Sequence, residues 1–234
     1  MSNLLDTLIT VIVGSLSNVT RGFSGQLSAL EDFFYVKVRG LSFIVLGARQ
    51  TGKTTLIEWL RRNMASIEGF EPDPTAAGGI SVPDVNARLD DGKYIKLKPT
   101  RDVGGEYAMW ETDWVELFRE AQPRGILFML DHTDVHLQKD ALNFVLQMIE
   151  DEPSSARNLR AFYIFVNKSD LWADEMSLDE LLANYRNEQK RLRSQAERFG
   201  YAWSISSGSV LTGEGIKDTM RRFANAIRPL PKRV

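Results

Sequence analysis

The sequence predicts an α/β fold, a mostly parallel six-stranded sheet with helices on both faces and one antiparallel edge strand. Three observations carry this expectation. From about residue 40 onward, short apolar runs alternate with segments of helical periodicity. Two of the strand-like runs are joined by Asp90-Asp91-Gly92, a hairpin turn, which supplies the antiparallel edge. A glycine-rich segment directly follows the first apolar run and opens a helix.

The first strand is Leu41 to Leu46, an apolar run stopped by Gly47. Lys53 to Met64 is helical, with Leu56, Ile57, Leu60 and Met64 on one face. Ile80 to Leu89 and Tyr94 to Leu97 form the hairpin. Gly125 to Leu130 is the fourth strand, and the stripe Leu137, Ala141, Leu142, Val145, Met148, Ile149 marks a helix ending before Pro153. Ala161 to Val166 is the fifth strand. Ser177-Leu178-Asp179-Glu180 is a capping box that opens one long helix, with a stripe running to Phe199 and a stop at Gly200. Ala202 to Ser206 is the last strand, and Ile216, Met220, Phe223 and Ile227 line a final helix ended by Pro229. In such sheets ligands bind at the carboxyl ends of the strands, so the loops there are the places to look for chemistry.

Composition narrows the function. The 234 residues are 43% apolar and 26% charged, enough for one domain with a real core. A net charge of −2 gives no general attraction to nucleic acid. The absence of cysteine excludes disulfides, thiol catalysis, thiolate metal sites and prenyl or palmitoyl anchors. The apolar run Leu8 to Val13 follows Asp6 rather than a basic residue and is too short to span a bilayer. A cytoplasmic protein is expected.

Residues 1–38 read as a separate amphipathic segment ahead of a domain at 39–230. In its first 22 residues Leu4, Leu5, Leu8, Ile12, Leu16 and Val19 oppose a polar stripe of Asn3, Thr7, Thr10, Gly14, Ser17, Asn18 and Arg21. Ser2 excludes the usual N-myristoylation motif. Residues 1–22 are expected to be a helix needing a partner, because so short a helix is marginal alone in water. Peripheral membrane contact, docking on the domain, and self-association all stay open.

The chemistry lies in four loops. Gly47-Ala48-Arg49-Gln50-Thr51-Gly52-Lys53-Thr54 fits G-x-x-x-x-G-K-[ST], with a strand before it and a helix after it. Its glycines let successive backbone N–H groups face phosphates, and the helix adds its positive end. Lys53 would meet the β- and γ-phosphates, and the Thr54 hydroxyl could ligate Mg²⁺. A chance match in a chain this long has odds of roughly one in a hundred, so a P-loop nucleoside triphosphate site is the expectation. Asn167-Lys168-Ser169-Asp170 follows a buried strand. The Asp170 carboxylate can accept both guanine N1–H and N2–H, which adenine cannot offer. Lys168 can lay its stem over the base while Asn167 ties loops together. Asp102-Val103-Gly104-Gly105 matches D-x-x-G, with Asp102 toward Mg²⁺ and the Gly105 N–H toward the γ-phosphate. An ATP-dependent kinase or ATPase on the same phosphate loop conflicts with the tetrapeptide 167–170.

At this point the chain resembles the Ras-like small GTPases, and their Arf and Arf-related branch above all. The resemblance rests on Gly52-Lys53-Thr54-Thr55, Asp102-Val103-Gly104-Gly105, Leu130-Asp131-His132-Thr133-Asp134, and Ser209-Val210-Leu211, which is similar to the loop backing the guanine. It covers about residues 40 to 228. It implies a G-domain that binds GTP/GDP with Mg²⁺ and works through a protein effector and regulators. It also implies a nucleotide shell of Gly47, Arg49, Gln50, Thr51, Gly52, Lys53, Thr54 and Thr55, completed by Asn167, Lys168, Asp170, Ser209, Val210 and Leu211. Thr75 is similar to the branch's metal-binding threonine, with Ser81 as the alternative, so the metal set is Thr54, Thr75 and Asp102.

The chain departs from the family at Glu106, where a glutamine usually orients the attacking water. Lys53, Gly105 and Glu106 are thus the expected catalytic groups, with slow hydrolysis because Glu106 faces the γ-phosphate with like charge. A GTP-bound scaffold with negligible hydrolysis is the alternative. Arg49 can serve as an internal arginine finger or face solvent or a partner. Trp110, Trp114 and Phe118 share one helical face, either as an effector contact or as core.

Overall fold

The computed structural model describes residues 40–62, 75, 78–82, 84–88 and 94–228. The amphipathic segment 1–22, the boundary near 38, the hairpin turn at 90–92, the helix end at Met64 and the stop at Pro229 lie outside the described residues. The elements in chain order are β1 (Leu41–Leu46), α1 (Lys53–Arg61), β2 (Ile80–Ser81), β3 (Val85–Arg88), β4 (Tyr94–Pro99) and β5 (Arg101–Asp102). A short 3₁₀ turn (Tyr107–Met109) and a π-helical turn (Trp110–Trp114) lead into α2 (Val115–Ala121). There follow β6 (Gly125–Leu130), α3 (Val135–Asp151), α4 (Pro153–Ala156), β7 (Ala161–Val166), α5 (Ser169–Trp172), α6 (Leu178–Leu182), α7 (Arg186–Phe199), β8 (Ala202–Ser207) and α8 (Ile216–Ile227).

The main sheet has the order β3-β4-β1-β6-β7-β8. Five strands are parallel, and β3 pairs antiparallel with β4 at the edge, from Val85↔Leu97 to Arg88↔Tyr94. The expected sheet is therefore present. Its central strands carry apolar side chains on both faces. On β6, Ile126, Phe128 and Leu130 join one core cluster while Leu127 and Met129 join the other, and β7 alternates in the same way. α2, α3 and α7 cover the first face; α1 and α8 cover the second. Two expectations need correction. The run 80–89 is not one strand, because β2 leaves the main sheet to pair with β5 (Ile80↔Asp102). Pro83, which has no N–H for a ladder, stands between β2 and β3 in the sequence.

The long helix from Ser177 is also divided. Its capping box forms as expected, but a 3₁₀ turn at Ala183–Tyr185 separates α6 from α7. Side chains satisfy the carbonyls freed at the break: Asn184 Nδ2 donates to Leu181 O and Gln189 Nε2 to Leu182 O. The break buries Tyr185 and Leu181, while Leu178, Leu182 and Phe199 are only half-buried. No helix among the described residues is long and apolar enough to cross a membrane.

Candidate nucleotide site

β1, β4–β5, β6, β7 and β8 all end at the same edge of the sheet, and the loops that follow them enclose one open cavity of about 550 Å³. Arg49, Gln50, Gly52, Lys53, Thr54, Thr55, Thr75, Gly105, Glu106, Asn167, Lys168, Asp170, Ser209 and Leu211 line it, together with Gly104 and Leu171. Residues from Arg49 to Leu211 thus converge on one pocket.

The loop after β1 is held by its own side chains. Thr51 is fully buried and donates its hydroxyl to Ala48 O. Lys53 Nζ lies 2.9 Å from both Gly47 O and Ala48 O. Burial lowers the Lys53 ammonium to about 8, with the Asp102 and Glu106 carboxylates pulling the other way. Gly52 has φ +96°, and a Cβ there would stand 2.2 Å from Asn167 Nδ2, so only glycine fits. Gln50 holds a left-handed conformation at φ 63° without being glycine.

At the phosphate end three side chains from three loops meet. The Thr54 and Thr75 hydroxyls are 3.2 Å apart, and Thr75 Oγ1 donates to Asp102 Oδ2 at 3.3 Å. Asp102 Oδ1 is buried with no hydrogen-bond partner among the described residues. Burial pushes the Asp102 carboxyl up, partly offset by Thr54, Lys53 and Thr75. Ser81, the alternative to Thr75, is exposed on β2 instead. Gly105 packs directly on the phosphate loop: a Cβ there would come within 2.4 Å of Arg49 N and 2.5 Å of Lys53 Nζ. The guanidinium of Arg49 faces Glu106 across the mouth, Nη1 to Oε2 at 3.9 Å, with both groups half exposed. Arg49 therefore faces neither open solvent alone nor empty space.

The base end is a closed polar network. Asn167 Nδ2 donates to Thr51 O at 3.0 Å and Asn167 Oδ1 accepts from Val210 N at 2.9 Å, so one amide joins the first loop to the last. Lys168, at φ 62°, directs its ammonium 2.5 Å from Asp131 Oδ2. That oxygen makes no conventional hydrogen bond, but the ammonium satisfies it electrostatically. Asp131 Oδ1 accepts from Thr133 N, Thr133 Oγ1 and Gln138 Nε2. Burial pushes the Asp131 carboxyl up, but Lys168 and Thr133 together hold it below the ordinary carboxylate range. Asp170 is exposed at the wall beside Leu171.

Four expected residues stand behind the lining, Asp102 among them. Val210 is fully buried in the core with its N–H spent on Asn167, Thr51 is internal, and Gly47 contributes through its carbonyl to Lys53. Leu171 belongs to the site with no sequence motif to mark it, while Gly104 and Asp131 lie inside motifs that give them no role of their own. The part Asp131 plays depends on Lys168, 37 residues away in sequence. Trp110, Trp114 and Phe118 are core, at 1%, 0% and 0% exposure, while Tyr107 nearby is 68% exposed.

A parallel sheet whose first strand feeds a glycine loop onto a helix, with the other strand-end loops closing the same pocket, defines a P-loop nucleotide-binding protein. The profile of the ADP-ribosylation factor family matches residues 27–227, and the chain belongs to that family. Among curated proteins it is similar to ADP-ribosylation factor-like protein 6 of Caenorhabditis briggsae, 24% identical over 205 residues (87% of this chain, 95% of that protein). It is similar as well to the Caenorhabditis elegans protein of that description, 24% identical over 204 residues with the same coverage. Membership makes the chain a small GTP-binding protein of the switch type, which binds GTP and GDP and works with regulators and effectors.

Proposed function

We propose that this protein is a GTP/GDP switch in which the γ-phosphate and Mg²⁺ order Thr75 and the loop after Asp102. The observation that carries the reading is the buried Asp102 Oδ1, without a hydrogen-bond partner among the described residues, beside two threonine hydroxyls. Hard oxygen donors of this kind suit Mg²⁺. Thr54 and Thr75 would hold the ion, with Asp102 behind them, and the ion would supply charge neutralisation to the phosphates. Lys53 holds a positive charge at the phosphate loop. Asp170 reads the guanine edge, with the Lys168 stem against the base.

Glu106 lines the pocket next to Gly105, where it would meet the attacking water, and Arg49 offsets part of its charge. Slow intrinsic hydrolysis follows, to be raised by a partner. The rival reading, a GTP-bound scaffold with negligible hydrolysis, rests on the same Glu106. Hydrogen exchange over residues 78–120 in the GDP and GTP-analogue states separates the two. A difference there supports the switch, and identical exchange leaves the scaffold. Identification by mass of the co-purifying nucleotide tests guanine itself.

We keep residues 39–230 as the G-domain and give residues 1–22 a partner-binding role, with docking or self-association ahead of peripheral membrane contact. Few cations flank the apolar stripe. A chain starting at residue 39 should still bind GTP. Flotation with liposomes that is lost on truncation would favour the membrane.

A further inference from the structure

Trp110 and Trp114 do more in this fold than fill the core. Trp114 Nε1 donates to Gly104 O at 2.8 Å, and Trp110 Nε1 donates to Gly105 O at 3.1 Å. These are the two glycine carbonyls of the D-x-x-G loop. Both indoles are buried, stacked on one another with ring centroids 5.2 Å apart and planes 23° apart, and both rest on Phe144. A π-helical turn, which widens a helix by one residue per turn, spans the two tryptophans.

The consequence comes from the peptide unit. A trans amide is planar, with its C=O and the next residue's N–H pointing in opposite directions. Anchoring Gly104 O on a buried indole therefore turns the Gly105 N–H away from the core. Gly105 lines the nucleotide pocket and packs on the phosphate loop and Lys53. The same relation orients the Glu106 N–H through Trp110. Glycines without a side-chain anchor could flip these peptide planes at little cost. Here a flip would leave an indole N–H buried and unpaired.

We infer that Trp114, with Trp110 beside it, is a positioning residue that aims the Gly105 N–H at the γ-phosphate. The inference rests on the reading of Gly105 as the γ-phosphate contact. The indoles touch no nucleotide themselves; they set the direction of the group that does. The third phosphate is the part of the ligand they serve, so the diphosphate form gains nothing from them.

The test compares Trp114→Phe and Trp110→Phe in the full chain, since phenylalanine keeps an aromatic ring and removes the donor. Affinities for GDP and for a non-hydrolysable GTP analogue are measured with Mg²⁺ present. Trp114→Phe should weaken the analogue about tenfold, the scale of one charge-assisted hydrogen bond, with GDP within about twofold. Trp110→Phe should act in the same direction and less strongly. A parallel loss for both nucleotides, or no loss for either, overturns the inference, because packing alone does not distinguish the two ligands. Indole ¹H–¹⁵N spectra of the unaltered protein give a second reading that survives a variant that fails to fold. The Trp110 and Trp114 signals should move between the two nucleotide states, while Trp59 and Trp203 stay in place. Unmoved signals at 110 and 114 overturn the inference. If the unaltered protein does not discriminate the two nucleotides at all and Gly105→Ala affects both equally, the γ-phosphate reading of Gly105 has failed. If the unaltered protein discriminates and both tryptophan variants discriminate as well, only the positioning role has failed.

Discussion

At the base end of the pocket Asn167 spends both arms of its amide on protein groups, and Asp131 grips Lys168, Thr133 and Gln138. At the phosphate end Thr54, Thr75 and Asp102 meet with a buried carboxylate oxygen left over. The first region is tied together by bonds within the protein, although His132 Nδ1 and Ser169 Oγ beside it are buried without a hydrogen-bond partner among the described residues. The second gathers two threonine hydroxyls around one carboxylate. A buried carboxylate oxygen without a hydrogen-bond partner among the described residues is costly unless a cation or donor meets it, so oxygen donors gathered in this way suit a cation at the phosphate end. On the proposed function, recognition of the base falls to the first region and response to the phosphates to the second.

The division can be broken most strongly at Lys53. Lys53→Ala removes the buried ammonium from the phosphate loop and should weaken triphosphate binding by about a hundredfold, the loss of two charge-assisted contacts. Competition binding measures it, and a change under threefold would mean the phosphates do not meet this lysine. The base end is probed by Asp170→Asn, which inverts the donor–acceptor match and should exchange guanine for xanthine preference by about a hundredfold, the upper range for a bidentate pair. Equal binding of ATP and GTP by the unaltered protein would remove the basis for this prediction.

Smaller effects sharpen the contrast. Glu106→Gln should raise single-turnover hydrolysis about tenfold if like charge is the obstacle. Loss of turnover would instead make Glu106 the water-orienting group. Asp131→Asn should speed GDP release several-fold without changing the preferred base, and should lower stability by about 2 kcal/mol, less than a fully buried pair because Lys168 can reach water. The sign with pH follows from the depressed Asp131 carboxyl. Its contribution is complete above the unfolded carboxyl range near 4 and is lost as pH falls through its lower folded value. Thermal melts from pH 6 to 2 should therefore show a shallower acid decline in Asp131→Asn than in the unaltered protein.

The parts legible in the sequence were local. A tetrapeptide or octapeptide after an apolar run carries its own strand, turn and helix signals, so the phosphate loop, the 167–170 loop and the parallel strands could be read directly. Contacts between distant loops could not. Arg49 with Glu106 and Asp131 with Lys168 are ion pairs between separate strand ends, and only the strand order brings them together. The i, i+4 spacing of Trp110 and Trp114 showed one face, yet nothing in it named the carbonyls they bind. The long helix from Ser177 kept an acceptable stripe throughout, and the break at 183–185 depends on amide side chains that read as ordinary surface residues. Resemblance already favours Thr75 over Ser81, and the contact of Thr75 with Asp102, against the exposed position of Ser81 on β2, agrees with that preference.

The side chain of Asn167 also bears on how the molecule is made. Its two bonds reach back 116 residues to Thr51 and forward 43 residues to Val210. During synthesis the phosphate loop is finished long before its partner at residue 210 leaves the ribosome. A nascent chain ending before that point can already join the phosphate loop to the 167–170 loop through Asn167, but it lacks the second bond, from Val210. Full anchoring of Asn167 thus waits for the last strand, β8, and the loop that follows it.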